Sequence, residues 1–159
     1  MAERKHRYEV DVVWTGNTGE GTKTYRSYSR DHEIRAEGRP PIPGTSDPLF
    51  RGDKRRWNPE QLLIGALSAC HKLWYLHLAA EAGVVVLAYE DRAEGLLLES
   101  DEGGGRFSKV VLRPVVTIAP GSDPEVAQRL HGPAAEKCFI ACSVNFPVEH
   151  EARVVVVGS

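Results

Sequence analysis

The chain has 159 residues, with Lys plus Arg at 20, Asp plus Glu at 22, a net charge of −2 and 42% hydrophobic residues. That length suits a single domain over residues 1–159, and the composition is that of a globular chain, not a disordered one. The near-neutral balance excludes a general nucleic-acid or anionic-membrane surface, and the longest mainly apolar stretch, Leu62–Cys70, is far short of the ~20 residues that span a bilayer.

In chain order, the start Met1-Ala-Glu-Arg-Lys-His lacks the apolar run of a secretory signal, so a cytoplasmic protein is expected. Tyr8, Val10, Val12 and Trp14 alternate with Glu9 and Asp11, which predicts a half-buried strand over 8–14. Gly16, Gly19 and Gly21 mark a turn, and Tyr25–Ser29 reads as the returning strand. Residues 36–57 carry Pro40, Pro41, Pro43, Gly44, Pro48 and Gly52 and read as a long loop, a kind of segment that is often functional. A long helix opens at Asn58 as N-cap, with Pro59 at its first position and Gln61 completing a capping box. It runs to a stop at Gly83. From Leu62 to Cys70 the helix is apolar or small all round, so it needs cover on every side. One chain of this size has little material for that, which predicts a second subunit.

Val84–Tyr89, Gly95–Glu99 and Phe107–Ile118 read as strands, with a tight turn at Asp101-Glu-Gly-Gly-Gly. Pro114 implies an edge position or a bulge in the third. Ser122 and Glu125 stand at capping-box spacing and open a second helix, which Gly132-Pro133 kinks or restarts. Val148–Val157 is the last strand. Strands and helices are partly segregated, so the fold class is α+β.

Three cysteines are too few for a disulfide scaffold and odd in number. Each is read as a buried filler, a metal ligand or a reactive thiol. Cys70 sits in the apolar stretch of the long helix, where filling is the bland role. Cys138 and Cys142, at i, i+4 late in the second helix, would share a face. His71, His77 or His131 could join them around a metal, but no Cys-x₂-Cys or His-x₃-His spacing is present, and no metal or cofactor is expected. His71 beside Cys70 would be a Cys-His pair, yet adjacent helical positions point about 100° apart. Glu60, in the helix's first turn, serves the helix dipole in its plainest role. Arg51, Lys54, Arg55 and Arg56 form a basic run whose ordinary reading is a solvated surface.

The stretch Asn58-Pro-Glu-Gln-Leu-Leu-Ile-Gly-Ala-Leu-Ser-Ala-Cys70 resembles the signature of the OsmC/Ohr family of thiol peroxidases, in which a cysteine follows the glutamate of Asn-Pro-Glu by ten positions. Ala134-Ala135-Glu136-Lys137-Cys138 is similar to the family's second-cysteine motif. Ala135 stands where His is frequent, and Cys138-Phe-Ile-Ala-Cys142-Ser replaces the usual Cys-Pro continuation. The resemblance is therefore closest to the OsmC-like branch.

The resemblance implies an OsmC-like fold and a peroxidase that reduces organic hydroperoxides to alcohols. In it, Cys70 attacks the peroxide as thiolate and becomes a sulfenic acid. Cys138 closes a disulfide with it, and Cys142 is a competitor for that role. An external dithiol, often a lipoyl-bearing protein in the family, recycles the pair. The family's Arg–Glu pair implies Glu60 with an arginine that favours the thiolate; Arg51 is preferred and Arg30 is the second candidate. Arginine suits the task because it stays charged when desolvated and its planar fork holds a carboxylate. On one straight helix Glu60 and Cys70 stand about 15 Å apart along the axis and about 80° apart in rotation. Either a long Arg bridges them or Glu60 serves a partner's Cys70, as it would in an intertwined homodimer. Trp74, Phe139 and Phe146 are candidate walls for an apolar substrate. The rival reading is a non-catalytic, stress-related binding protein on the same fold; a Cys-His hydrolase is a third.

Overall fold

The computed structural model describes residues 2–158. The chain divides into two compact units, one ending at Leu62 and one beginning at Leu63.

The N-terminal unit holds an antiparallel meander, β1 (Asp11–Trp14), β2 (His32–Arg35) and β3 (Ile42–Gly44). The strand returning to β1 is therefore β2, not Tyr25–Ser29. In the latter stretch side chains take over the backbone groups. Thr18 Oγ1 donates to the Ser27 carbonyl at 2.8 Å, and the Arg30 guanidinium donates to the carbonyls of Tyr28 and Tyr25 at 2.7 Å. Tyr28 makes one isolated bridge, to Asn17. The expected strand over 8–14 is shorter and is exposed throughout, Val12 and Trp14 included.

The presumed loop 36–57 contains β3 and a 3₁₀ turn, Pro48–Phe50, which the Asp47 carboxylate caps by accepting from Leu49 N–H at 2.8 Å. Pro43 is tolerated because β3 is an edge strand. The basic run is not uniformly solvated: Arg56 donates to the carbonyls of Gly44 (2.9 Å) and His32 (2.8 Å), tying the loop to β2 and β3.

Helix α1 runs Pro59–Glu81. Its start is the reciprocal box read from the sequence: Asn58 Oδ1 accepts from Gln61 N–H at 2.8 Å, and Gln61 Oε1 accepts from Asn58 N–H at 3.2 Å. Its stop is Gly83, with φ of 74°. Leu67, His71, Tyr75 and Ala79, four apart, form its buried stripe. Gly65, Ala66, Ala69 and Leu73 remain exposed. Within one chain the apolar segment is thus covered on one face only.

The C-terminal unit has six strands: β4 (Val86–Asp91), β5 (Glu94–Glu99), β6 (Gly105–Leu112), β7 (Pro114–Ile118), β8 (Val148–His150) and β9 (Arg153–Val156). They form two three-stranded sheets, β4-β7-β9 and β5-β6-β8, in which β6·β8 and β7·β9 are the parallel pairs. The single strands expected over 107–118 and 148–157 each divide and serve both sheets. The break at Arg113 has a cause: its N–H donates to Asp91 Oδ1 at 2.6 Å, and its Nε lies 3.3 Å from Glu151 Oε2. Pro114 opens the central strand β7, where its missing N–H costs no ladder bond, so it marks neither an edge nor a bulge. Gly95 is required by packing, because a Cβ there would stand 2.7 Å from Phe107 Cε1 and 2.8 Å from Ile64 Cδ1.

The second helix is two helices, α2 (Pro124–Arg129) and α3 (His131–Lys137), joined at Leu130. Asp123, not Ser122, caps α2 by accepting from Glu125 and Val126; the Ser122 hydroxyl accepts from Val85 N–H at 2.9 Å instead. The break falls at Leu130, two residues before Gly132-Pro133, and α3 ends before Cys138. Two core clusters result, one around Tyr75, Ala79, Val116, Ile118, Ala127 and Ala134, the other around Leu67, Phe107, Val110 and Leu112. The fold class is α+β, as expected.

Candidate thiol site

Cys70 lies on α1, one position before the buried stripe residue His71, so a helical step of about 100° swings its sulfur toward the stripe's edge. It is partly exposed. Cys138 follows directly on α3 with extended backbone (φ −65°, ψ 112°) and is only 1% exposed. Burial, together with the neighbouring Cys70 thiol, pushes Cys138 up to about 11. The Ala141 N–H, 3.4 Å from Cys138 Sγ, opposes the shift without cancelling it. Cys138 is therefore a protonated thiol at neutral pH.

Cys142 does not share this place. The helix expected to align it with Cys138 has already ended, and a 3₁₀ turn, Ala141–Ser143, carries it to the surface. Its thiol points at the Glu136 carbonyl, 3.4 Å away.

A shallow apolar pocket of about 300 Å³ opens on Cys70, walled by Leu73, Trp74, His77 and Phe139. Trp74 is its keystone: it packs edge-on against Phe139 (5.8 Å) and His77 (5.7 Å), and Lys137 Nζ sits 5.6 Å from its ring centre. Trp74 and Phe139 thus stand where a substrate wall was expected. Phe146 does not; it packs on Phe107 at 5.5 Å in the second core cluster.

In the N-terminal unit, Glu60 Oε2 is buried without a hydrogen-bond partner among the described residues, a costly state for a carboxylate oxygen that calls for a cation. Arg51 is exposed, with left-handed backbone at φ 66°. Arg30 is already engaged, its guanidinium 3.9 Å from the Tyr28 ring centre and 4.3 Å from that of Tyr25.

His71 and His131, read from the sequence as possible metal ligands and His71 also as a partner for Cys70, form a buried pair that sequence reasoning missed: His71 Nε2 lies 3.0 Å from His131 Nδ1. No spacing signal could have found it, because the partners are 60 residues apart. Among the described residues no group of three His, Cys, Asp or Glu side chains is placed to hold a metal ion. No helix among them is long and apolar enough to cross a membrane.

A family model described as OsmC-like protein matches residues 52–153, a span that includes Glu60, Cys70 and Cys138 and begins just after Arg51. The structure superposes on an OsmC-like protein of unknown function from Vibrio cholerae with a TM-score of 0.84, at 32% identity over 93% of this chain and 99% of that one. The chain belongs to the OsmC-like family.

The same fold, at 19% identity in each case, recurs in two organic hydroperoxide resistance proteins. One, from Legionella pneumophila, has a TM-score of 0.65 over 95% of this chain and 99% of that one. The other, from Elizabethkingia anophelis, was crystallised with thiocyanate bound and has a TM-score of 0.66 over 96% and 99%. No match to this OsmC-like chain was found among curated proteins.

Proposed function

We propose that this OsmC-like protein is a cysteine-based peroxidase that reduces organic hydroperoxides to alcohols in the cytoplasm, working as a homodimer of single-domain chains. The observation that carries the reading is the pairing of a partly exposed thiol, Cys70, at an apolar pocket with a buried neighbouring thiol, Cys138. An oxidant reaches only the first. Cys70 attacks the O–O bond as thiolate, releasing the alcohol and leaving a sulfenic acid. Cys138 then displaces the hydroxyl as water and forms the disulfide, which protects Cys70 from further oxidation. An external dithiol, such as a lipoyl-bearing protein, restores both thiols. The apolar walls favour an organic peroxide over hydrogen peroxide. Glu60 and an arginine, Arg51 before Arg30, hold the charge that keeps Cys70 ionised; the unpaired Glu60 oxygen and the uncommitted Arg51 guanidinium support that choice.

Titrating the reduced protein with cumene hydroperoxide tests the reading. Two of the three thiols should vanish per chain, with one equivalent of alcohol formed and Cys142 left free. Cys138→Ser should give an over-oxidised Cys70 after a few turnovers. A protein that takes up the peroxide and loses no thiol is a binding protein, and one in which Cys142 is consumed has another resolving residue.

A further inference from the structure

Cys138 also lines a small cavity of about 20 Å³ that shares no lining residue with the Cys70 pocket. Aliphatic side chains form most of its wall, and its polar edge is Cys138, His71, Glu149 and His150. That volume accommodates one water molecule. His71 leads inward to His131, with the two rings parallel at 4° and their centres 5.3 Å apart. His131 in turn stacks on Tyr75 at 4.2 Å. His150, at the end of β8, leans on both histidines at 5.8 and 6.0 Å and is exposed. Three imidazoles therefore connect a buried thiol with the surface.

Charged and titratable groups face His71 from every element packed against it: Asp91 from β4, His131 from α3, His150 and Glu149 from β8, and Cys138 after α3. Burial, with the neighbouring imidazoles, holds His71 down to about 4 and His131 to about 3. Both are neutral at physiological pH, so each ring offers one donor and one acceptor. The buried His131 Nε2 has no hydrogen-bond partner among the described residues, leaving an N–H or a lone pair free as the pair exchanges tautomers.

The resolving step sets a problem that this cluster solves. Cys138 must lose its proton to attack the Cys70 sulfenic acid, and burial keeps the proton on. We propose that His71, with His150 as its outlet and His131 as its tautomeric partner, is the proton relay of Cys138. The inference rests on Cys138 being the resolving thiol. In closure, the Cys138 S–H proton passes through the cavity to His71 as the sulfur attacks Cys70 and the S–O bond breaks; the departing hydroxide takes a proton from solvent at the open pocket and leaves as water, so that closure releases no net proton. When the external dithiol reduces the disulfide, Cys138 leaves as thiolate and recovers a proton by the same route.

Closure can be measured without peroxide. In a Cys142→Ser background, dithiobis-nitrobenzoate converts Cys70 to a mixed disulfide; attack by Cys138 then releases the coloured nitrobenzoate thiolate in a single unimolecular step, with its proton delivered to solvent. With the relay, this release is nearly independent of pH between about 6 and 8. In His71→Gln it should be slower by about tenfold at pH ~7 and about a hundredfold at pH ~6, rise about tenfold per pH unit as hydroxide takes over, and converge with the unsubstituted rate near pH ~8. His150→Gln, at the exposed end where packing is not disturbed, should show the same convergence with a several-fold deficit, and decides the matter should His71→Gln fail to fold. Unchanged release at neutrality, or a deficit equal at all pH values, overturns the relay; the second would mean that His71 only holds Cys138 in place. Release that depends on the histidines in a protein inert to cumene hydroperoxide keeps the relay and removes the peroxidase. Peroxide turnover with histidine-independent release does the reverse, and absence of any release from the mixed disulfide overturns both.

Discussion

At the scale of single residues, the same element chemistry is split by environment. Cys70 and Cys138 are both thiols, yet one opens on an apolar pocket and the other is 1% exposed and held protonated. That difference assigns their order in the proposed reaction. The arginines divide in a similar way: Arg30 is saturated by two carbonyls and two tyrosine rings, whereas Arg51 is uncommitted. Arg51→Met should lower the second-order rate of thiol loss with cumene hydroperoxide by about tenfold or more, since a neighbouring charge of this kind shifts a pKa by about 1–3 units. Arg30→Met should act mainly on the tyrosine-lined loop; if it alone slows thiol loss, the two roles are exchanged.

The buried histidines make a prediction about acid stability. Their folded values, about 4 for His71 and about 3 for His131, lie below the ordinary 6.5. Above pH ~6.5 both states are neutral and the pair adds no pH dependence. As pH falls below that, the unfolded chain takes up protons that the native chain refuses, so stability drops until the folded values are reached. Tm should therefore decline by several degrees between pH ~7 and pH ~5, and His131→Phe should flatten that decline. An identical acid limb in the variant would show that the pair is not its source.

At the scale of elements, α1 was the best-marked part of the chain. Asn58, Pro59, Gln61 and Gly83 act on backbone groups within a few residues, so their meaning is local and readable. Asn58→Ala removes one partner of the reciprocal cap and should cost about 0.5–2 kcal/mol in chemical denaturation. A loss below a few tenths would mean that the helix start is held by packing instead. The strands were less legible because a strand's limits depend on a distant partner. Phe107–Ile118 and Val148–Val157 each read as one run, and each divides where the chain passes from one sheet to the other, at Arg113 and at residues 151–152. Likewise Tyr25–Ser29 has strand-like residues, but Thr18 and Arg30 side chains claim its carbonyls, a competition that pattern alone does not reveal.

At the scale of the whole molecule, apolar surface is left without cover. Leu73 and Phe139 are 61% and 66% exposed, and Leu96, Leu97 and Leu98 are exposed in sequence along β5. Large exposed apolar side chains in this number mark an interface or a binding site more often than bare surface. It accords with the homodimer proposed above, in which a second copy covers the open face of α1. Light scattering coupled to size exclusion should give twice the chain mass at micromolar concentration, and Leu73→Glu should shift the protein toward monomer. A monomer in both cases removes the dimer and leaves the pocket as the sole account of the exposed residues.

The linear chain by itself determined the α+β class, the extent of α1, and the pair of motifs that place Glu60, Cys70 and Cys138 in an OsmC-like pattern, because caps, helical periodicity and fixed spacings are encoded within a few turns. Tertiary structure alone decided that Cys138 and not Cys142 meets Cys70, that Phe146 belongs to the core, and that His71, His131 and His150 gather behind the buried thiol. Those outcomes turn on α3 ending at Lys137 and on β8 pairing with β6. Contacts between residues 60 or more apart depend on how elements pack, and no local signal in the chain records them.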